Sequence, residues 1–141
     1  MQIGVDTSRA VDNKRVFVID DDEIMRAALQ FMLHDENETH ELRDVDEALR
    51  KGLQYKPDVV LLGIEVVRRL GVGVLLTLKK NIDGLKVLLV AESREDPLVA
   101  GCLQCGADAV LLKPITVEQT RKQVNRLLGR ASRTVIAIHA L

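Results

Sequence analysis

The chain has 141 residues, 20 of them basic and 21 acidic, with 47% hydrophobic and 29% charged side chains and a net charge of −1. That is the size and composition of one ordinary domain with one core, and near-neutrality provides no overall field to attract nucleic acid or a membrane. Two Phe, one Tyr and no Trp leave no stacking platform for single-stranded nucleic acid, and no apolar run is long enough to span a bilayer.

Residues 1–14 are polar and unpatterned and read as a flexible leader. They lack the apolar centre of a signal peptide, so a cytoplasmic protein is expected. Residues 15–19 follow as a short β-branched and aromatic run, the pattern of a strand buried on both faces. The run ends in three acids, Asp20, Asp21 and Asp22. Carboxylates are costly to bury unpaired, so these three are expected to lie in solvent, face a cation or cap the next helix. From Glu23, Ile24, Ala27, Ala28, Phe31 and Met32 fall at helical spacing, which predicts a helix ending near His34 with those residues inward.

A short strand is expected at 39–43 and a helix at 46–54, broken by Lys56-Pro57. Residues 59–64 read as a second buried strand, with Gly71 and Gly73 in the loop beyond it. A helix over 74–81 and a strand over 85–91 come next. Asp96 is a good N-cap for a helix to Gln104, with Pro97 in its first position and Gly106 beyond its end. A last strand, 109–112, closes on Lys113-Pro114, and Thr116 with Gln119 suggests a capping box for a helix to Leu128. Strands alternating with helices predict a parallel sheet covered on both faces, an α/β fold over 15–130. The apolar tail at 131–141 admits three readings: an edge strand, a partner contact, or the opening strand of a following domain.

In open α/β sheets, ligands bind at the carboxyl ends of the strands, where Asp20 and Asp21 lie. Asp20-Asp21 after the first strand, Pro57-Asp58 before the third, and Gly106-Ala107-Asp108-Ala109 leading to Lys113-Pro114 together resemble the receiver domain of two-component response regulators. The resemblance covers about residues 14–130. It implies a flavodoxin-like (CheY-like) three-layer sandwich with five parallel strands in order 2-1-3-4-5 and five helices. It also implies phosphoryl transfer from a partner kinase to an aspartate ending the third strand. Mg²⁺ would be held by the acid pair and that acceptor, and a hydroxyl and a lysine would read the phosphoryl oxygens.

On this pattern Asp20 and Asp21 match the acid pair, Lys113 the lysine, Pro114 the following proline and Gly71 the glycine after the acceptor. The acceptor position is Gly63 and the hydroxyl position is Ala91. Neither residue can do its part of the chemistry, and both losses fall on one step. The expectation is a pseudo-receiver that is no enzyme, with no cofactor or Mg²⁺ held weakly by Asp20 and Asp21, helped by the Glu65 carbonyl. The duller reading of the acids is a structural cluster paired with Lys113. Glu65 and Glu92 are candidate replacement carboxylates and Ser93 a candidate hydroxyl, each off the required position. Val110 stands where the family often carries an aromatic reporter.

Cys102 and Cys105 lie at the wrong end of their helix for a redox pair and read as core packing. His34, His40 and His139 share no metal-ligand spacing. Arg121, Lys122, Arg126, Arg130 and Arg133 make the last helix and its exit basic, opposed by Glu118, either as a solvated face or as a docking surface. The resemblance implies a protein partner or fused output domain, with possible homodimerisation through the fourth helix, fifth strand and fifth helix of that fold. Pilus-assembly ATPases of the Walker type, which carry such receivers before a further domain, are an analogy for the tail. The alternative is a working receiver, with an unusual acceptor or with Gly63 replacing a native Asp. A flavodoxin-like cofactor binder is disfavoured, because the acids would repel phosphate.

Overall fold

The computed structural model describes residues 13–130. Five strands, β1 (Arg15–Ile19), β2 (Glu38–Leu42), β3 (Val59–Gly63), β4 (Lys86–Ala91) and β5 (Ala109–Leu112), form one parallel sheet in the order β2-β1-β3-β4-β5. Six helices connect and cover them: α1 (Glu23–Leu33), α2 (Val45–Gln54), α3 (Ile64–Leu70), α4 (Gly73–Asn81), α5 (Pro97–Gln104) and α6 (Val117–Leu127). The strand order and the flavodoxin-like architecture are as expected. The expected leader lies outside the described residues except for residues 13 and 14, and the tail, with Arg133 and His139, lies wholly outside them.

Alternation along the central strands makes two apolar layers. Phe17, Ile19, Val60, Leu62, Val87 and Leu89 face one side and pack with α2, α3, α4 and α5. Val16, Val18, Val59, Leu61, Leu88 and Val90 face the other and pack with Leu29, Leu33 and Val124 of α1 and α6. Val16, Phe17, Val18 and Ile19 are fully buried, as a continuous apolar run in a parallel sheet requires. No helix among the described residues is long and apolar enough to cross a membrane.

The helix starts follow their caps. Asp22 accepts from the Ile24 and Met25 amides, Asp96 from Leu98, and Thr116 from Gln119. Asp44 caps α2 through the Glu47 amide at 2.8 Å, so the helix begins one residue ahead of the expected start. Glu47 in turn accepts from the Arg43 amide at 3.0 Å, so both ends of this turn are satisfied. Pro97 occupies the first turn of α5 as expected.

Two expectations need correction. The face of α1 is rotated: Leu29 and Leu33 are buried, with Met25 packed beside them, whereas Ile24 is 80% and Phe31 69% exposed. Arg26, on the buried side with Leu29 and Leu33, donates to the Asp20 carbonyl at 2.7 Å. The helix carries two apolar stripes, and the one that meets the sheet is Met25, Leu29 and Leu33. The second correction is α3. β3 ends one residue earlier than expected, and the chain turns directly into a helix capped by Gly63. Val66 and Val67 are fully buried on it. Gly71 then ends α3 at φ +93°, a conformation that suits glycine.

Candidate functional site

The carboxyl ends of β1, β3, β4 and β5 meet at one edge, and the three acids after β1 do three different things there. Asp22 caps α1. Asp21 faces a cation: Arg69 Nη2 donates to its Oδ1 at 2.9 Å and Arg69 Nε to its Oδ2 at 3.3 Å. Asp20 is buried, and its Oδ1 accepts from the Asp22 amide at 2.8 Å. Burial pushes the Asp20 carboxyl above its usual value, while that amide and the charge of Lys113 pull it back.

Gly63 ends β3 opposite Asp20. Its backbone, at φ −67° and ψ 137°, is open to any residue. Space is the restriction: a Cβ on Gly63 would press on Asp20 Oδ2 and lie 2.8 Å from its Cγ. The place of a Cβ at residue 63 is thus taken by the Asp20 side chain. Ala91 ends β4, fully buried, with its carbonyl accepting from the Lys113 amide at 2.9 Å. The Lys113–Pro114 peptide is cis.

Lys113 forms no ion pair within 4.0 Å among the described residues, so the expected Lys113 pairing of the acids is replaced by Arg69 on Asp21 and by longer-range attraction on Asp20. Glu65 is exposed and pairs with Arg68 at 3.1 Å. Ser93 Oγ is used locally, accepting from the Glu95 amide at 3.1 Å. Neither supplies a replacement group directed into the site.

The oxygens present do not fit Mg²⁺. That ion requires several hard ligands in near-octahedral array. Asp21 has both oxygens on a guanidinium, and one Asp20 oxygen is on an amide while the other packs under Gly63. The Glu65 carbonyl belongs to α3, where helical carbonyls point along the axis toward the N–H four residues on. Among the described residues no three His, Cys, Asp or Glu side chains gather as a metal shell.

Comparison with known proteins settles the family. The model of the response regulator receiver domain matches residues 16–125. This chain belongs to that family. It is 35% identical over 126 residues to the transcriptional regulatory protein PrrA of Mycobacterium leprae, covering 88% of this chain and 54% of the relative. It is 30% identical over 121 residues to the transcriptional regulatory protein ResD of Bacillus subtilis, covering 85% and 50%. The chain therefore spans about half the length of these curated relatives. In fold it is similar to a two-component response regulator from Clostridium difficile, with a TM-score of 0.73 at 22% identity over 84% of this chain and 98% of the other. A response regulator from Thermotoga maritima gives 0.75 at 18% identity over 83% and 98%. Receiver domains commonly bind Mg²⁺ at the acceptor site. Here Asp20 and Asp21 follow β1, Gly63 ends β3, Ala91 ends β4, and Lys113 with Pro114 follows β5.

The remaining candidates resolve into packing. Cys102 is fully buried and Cys105 packs against the larger layer, both as free thiols. His40 pairs with Glu38 at 2.8 Å and His34 lies 3.2 Å from Asp35. Part of the basic face of α6 is structural: Arg121 Nε donates to the Met32 carbonyl at 2.9 Å and Arg130 Nη2 to the Glu36 carbonyl at 3.2 Å, closing the exit of α1. Lys122 and Arg126 are exposed. Sequence reading missed Arg26 and Arg69, whose partners are fixed only by the fold.

Proposed function

We propose that this chain is a receiver domain that signals by protein–protein contact without aspartyl phosphorylation. The observation supporting this reading is the Asp20 side chain packed into the space that a Cβ on residue 63 would need. No nucleophilic oxygen is offered at that point, and Ala91 supplies no hydroxyl to an incoming phosphoryl group. The domain is therefore a non-enzymatic module of two-component signalling, acting with a protein partner or a fused output domain. The family's usual interface corresponds here to α5, β5 and α6, where Leu103 and Val117 are exposed beside Lys122 and Arg126. Homodimerisation through that face fits this reading. Val110 is buried in the larger layer, so any switching uses a lever other than an aromatic there.

The test is intact-mass analysis after incubation with acetyl phosphate and Mg²⁺. No phosphoryl adduct is expected on the natural chain. An adduct mapped to any residue of the carboxyl edge would establish the rival reading, a working receiver with an unusual acceptor.

A further inference from the structure

A cation does sit on this acid edge, and it belongs to the chain. Arg69 lies in the last turn of α3 and grips Asp21 with two nitrogens, Nη2 at 2.9 Å and Nε at 3.3 Å. Asp44, at the start of α2, attracts the same guanidinium. The preceding residue, Arg68, reaches the other way. Its Nη2 donates to Asp96 Oδ2 at 2.6 Å and its Nε to Glu65 at 3.1 Å. One short helix thus ties the end of β1 to the start of α5 across the end of β3.

We infer that Arg69 is the resident cation of this site, standing on Asp21 in place of a divalent ion and excluding it. The inference rests on reading residues 20, 21 and 63 as a disused receiver site. Its physical basis is the chemistry of the two cations. A guanidinium is always charged, weakly hydrated and shaped for two-pronged carboxylate binding, whereas Mg²⁺ keeps its water and demands a fixed ligand array. An ion approaching Asp21 must displace Arg69 and then remain beside its positive charge. Both side chains are partly exposed, at 51% and 39%, so the pair adds little to stability. What it governs is which cation the edge accepts.

The test measures Mn²⁺ binding to the full chain by water-proton relaxation, for the natural protein, Arg69→Gln, Arg69→Lys and Asp21→Asn/Arg69→Gln. The natural protein and Arg69→Lys are expected to show no saturable site in the low-millimolar range. Arg69→Gln should gain a site roughly tenfold or more tighter, because removing a unit charge in near contact relieves repulsion of a divalent ion. The double variant should lose it again, identifying Asp21 as the ligand. Thermal unfolding with and without Mn²⁺ should shift for Arg69→Gln alone. Equal Mn²⁺ affinity in the natural protein and Arg69→Gln, or no gain in Arg69→Gln, overturns the inference. Acetyl phosphate treatment of the same samples keeps the two readings apart. A natural protein that binds Mn²⁺ yet takes no phosphoryl group defeats the resident cation alone, whereas one that is phosphorylated defeats the disused receiver.

Discussion

Asp20 and Gly63 share a space that only one of them can fill. The carboxylate of Asp20 occupies the volume a Cβ on residue 63 would need, with Cγ 2.8 Å from that point. The absence of a side chain at 63 and the inward turn of Asp20 are two halves of one arrangement.

Adding a methyl at residue 63 should therefore cost stability by overpacking. Gly63→Ala is expected to lose roughly 1–3 kcal/mol, since the backbone there tolerates Ala but the neighbouring carboxylate must move. Asp20→Ala should relieve most of the penalty. A urea-denaturation cycle of the two single variants and the double would measure the coupling, and simple additivity would show that the two residues do not compete.

The buried state of Asp20 has a pH signature. Its folded carboxyl titrates above the ordinary value of 3.8, so the folded state binds the proton more tightly than the unfolded one. Stability from this group therefore falls as pH rises from about the ordinary value through the raised one. Asp20→Asn removes the charge and should raise the melting temperature at neutral pH. Lys113→Met should push the Asp20 titration higher still, because Lys113 is one of the charges holding it down. Carboxyl-carbon NMR titration of Asp20 reads both effects, and an ordinary value in the natural chain would contradict the burial argument.

At the opposite end of the sheet the sign reverses. Arg15 and His40 hold the Glu38 carboxyl down to about 2, from an ordinary value of 4.5. This group's stabilisation is present above 4.5 and is lost as pH falls toward about 2. Glu38→Gln should flatten that limb of a stability-versus-pH curve measured by urea melts. The effect will be small, because the side chain is 34% exposed. An unchanged limb in the variant would mean the Arg15 pair contributes nothing.

Arg121 and Lys122, adjacent on α6, should behave differently. Arg121→Ala removes the donor to the Met32 carbonyl and is expected to cost roughly 1–2 kcal/mol, as a charge-assisted hydrogen bond at a helix end. Lys122→Ala makes no comparable contact and should be nearly neutral in the same urea melts. Equal losses would place both on the structural side of the face, leaving less of it for a partner.

The legible parts of this fold were those whose signal is local. The run of Val16 to Ile19 announced a buried strand, and Asp96, Pro97 and Thr116 marked helix starts through chemistry within one turn. The α1 face was not legible, because Met25, Leu29 and Leu33 and Ile24, Ala27 and Phe31 both repeat at helical spacing. What separates them is which stripe meets the sheet, a tertiary fact: Leu29 and Leu33 pack into the smaller layer while Ile24 and Phe31 stay exposed. At the carboxyl edge, the strand-end positions of residues 20, 21, 63, 91 and 113 were legible in the sequence. Their relations were not: Arg69 lies 48 positions from Asp21, and no periodicity links a helix arginine to a strand-end acid at that distance.

The two apolar layers of the sheet are unequal: the one under α2, α3, α4 and α5 is the larger, and the one under α1 and α6 the smaller. Segments with less buried apolar surface open at lower free energy. Amide protons in α6 and α1 should thus exchange with solvent ahead of those in α4 and β4. A partner engaging α6 would then meet a helix able to lift from the sheet, while α3, packed in the heavier layer, should open later.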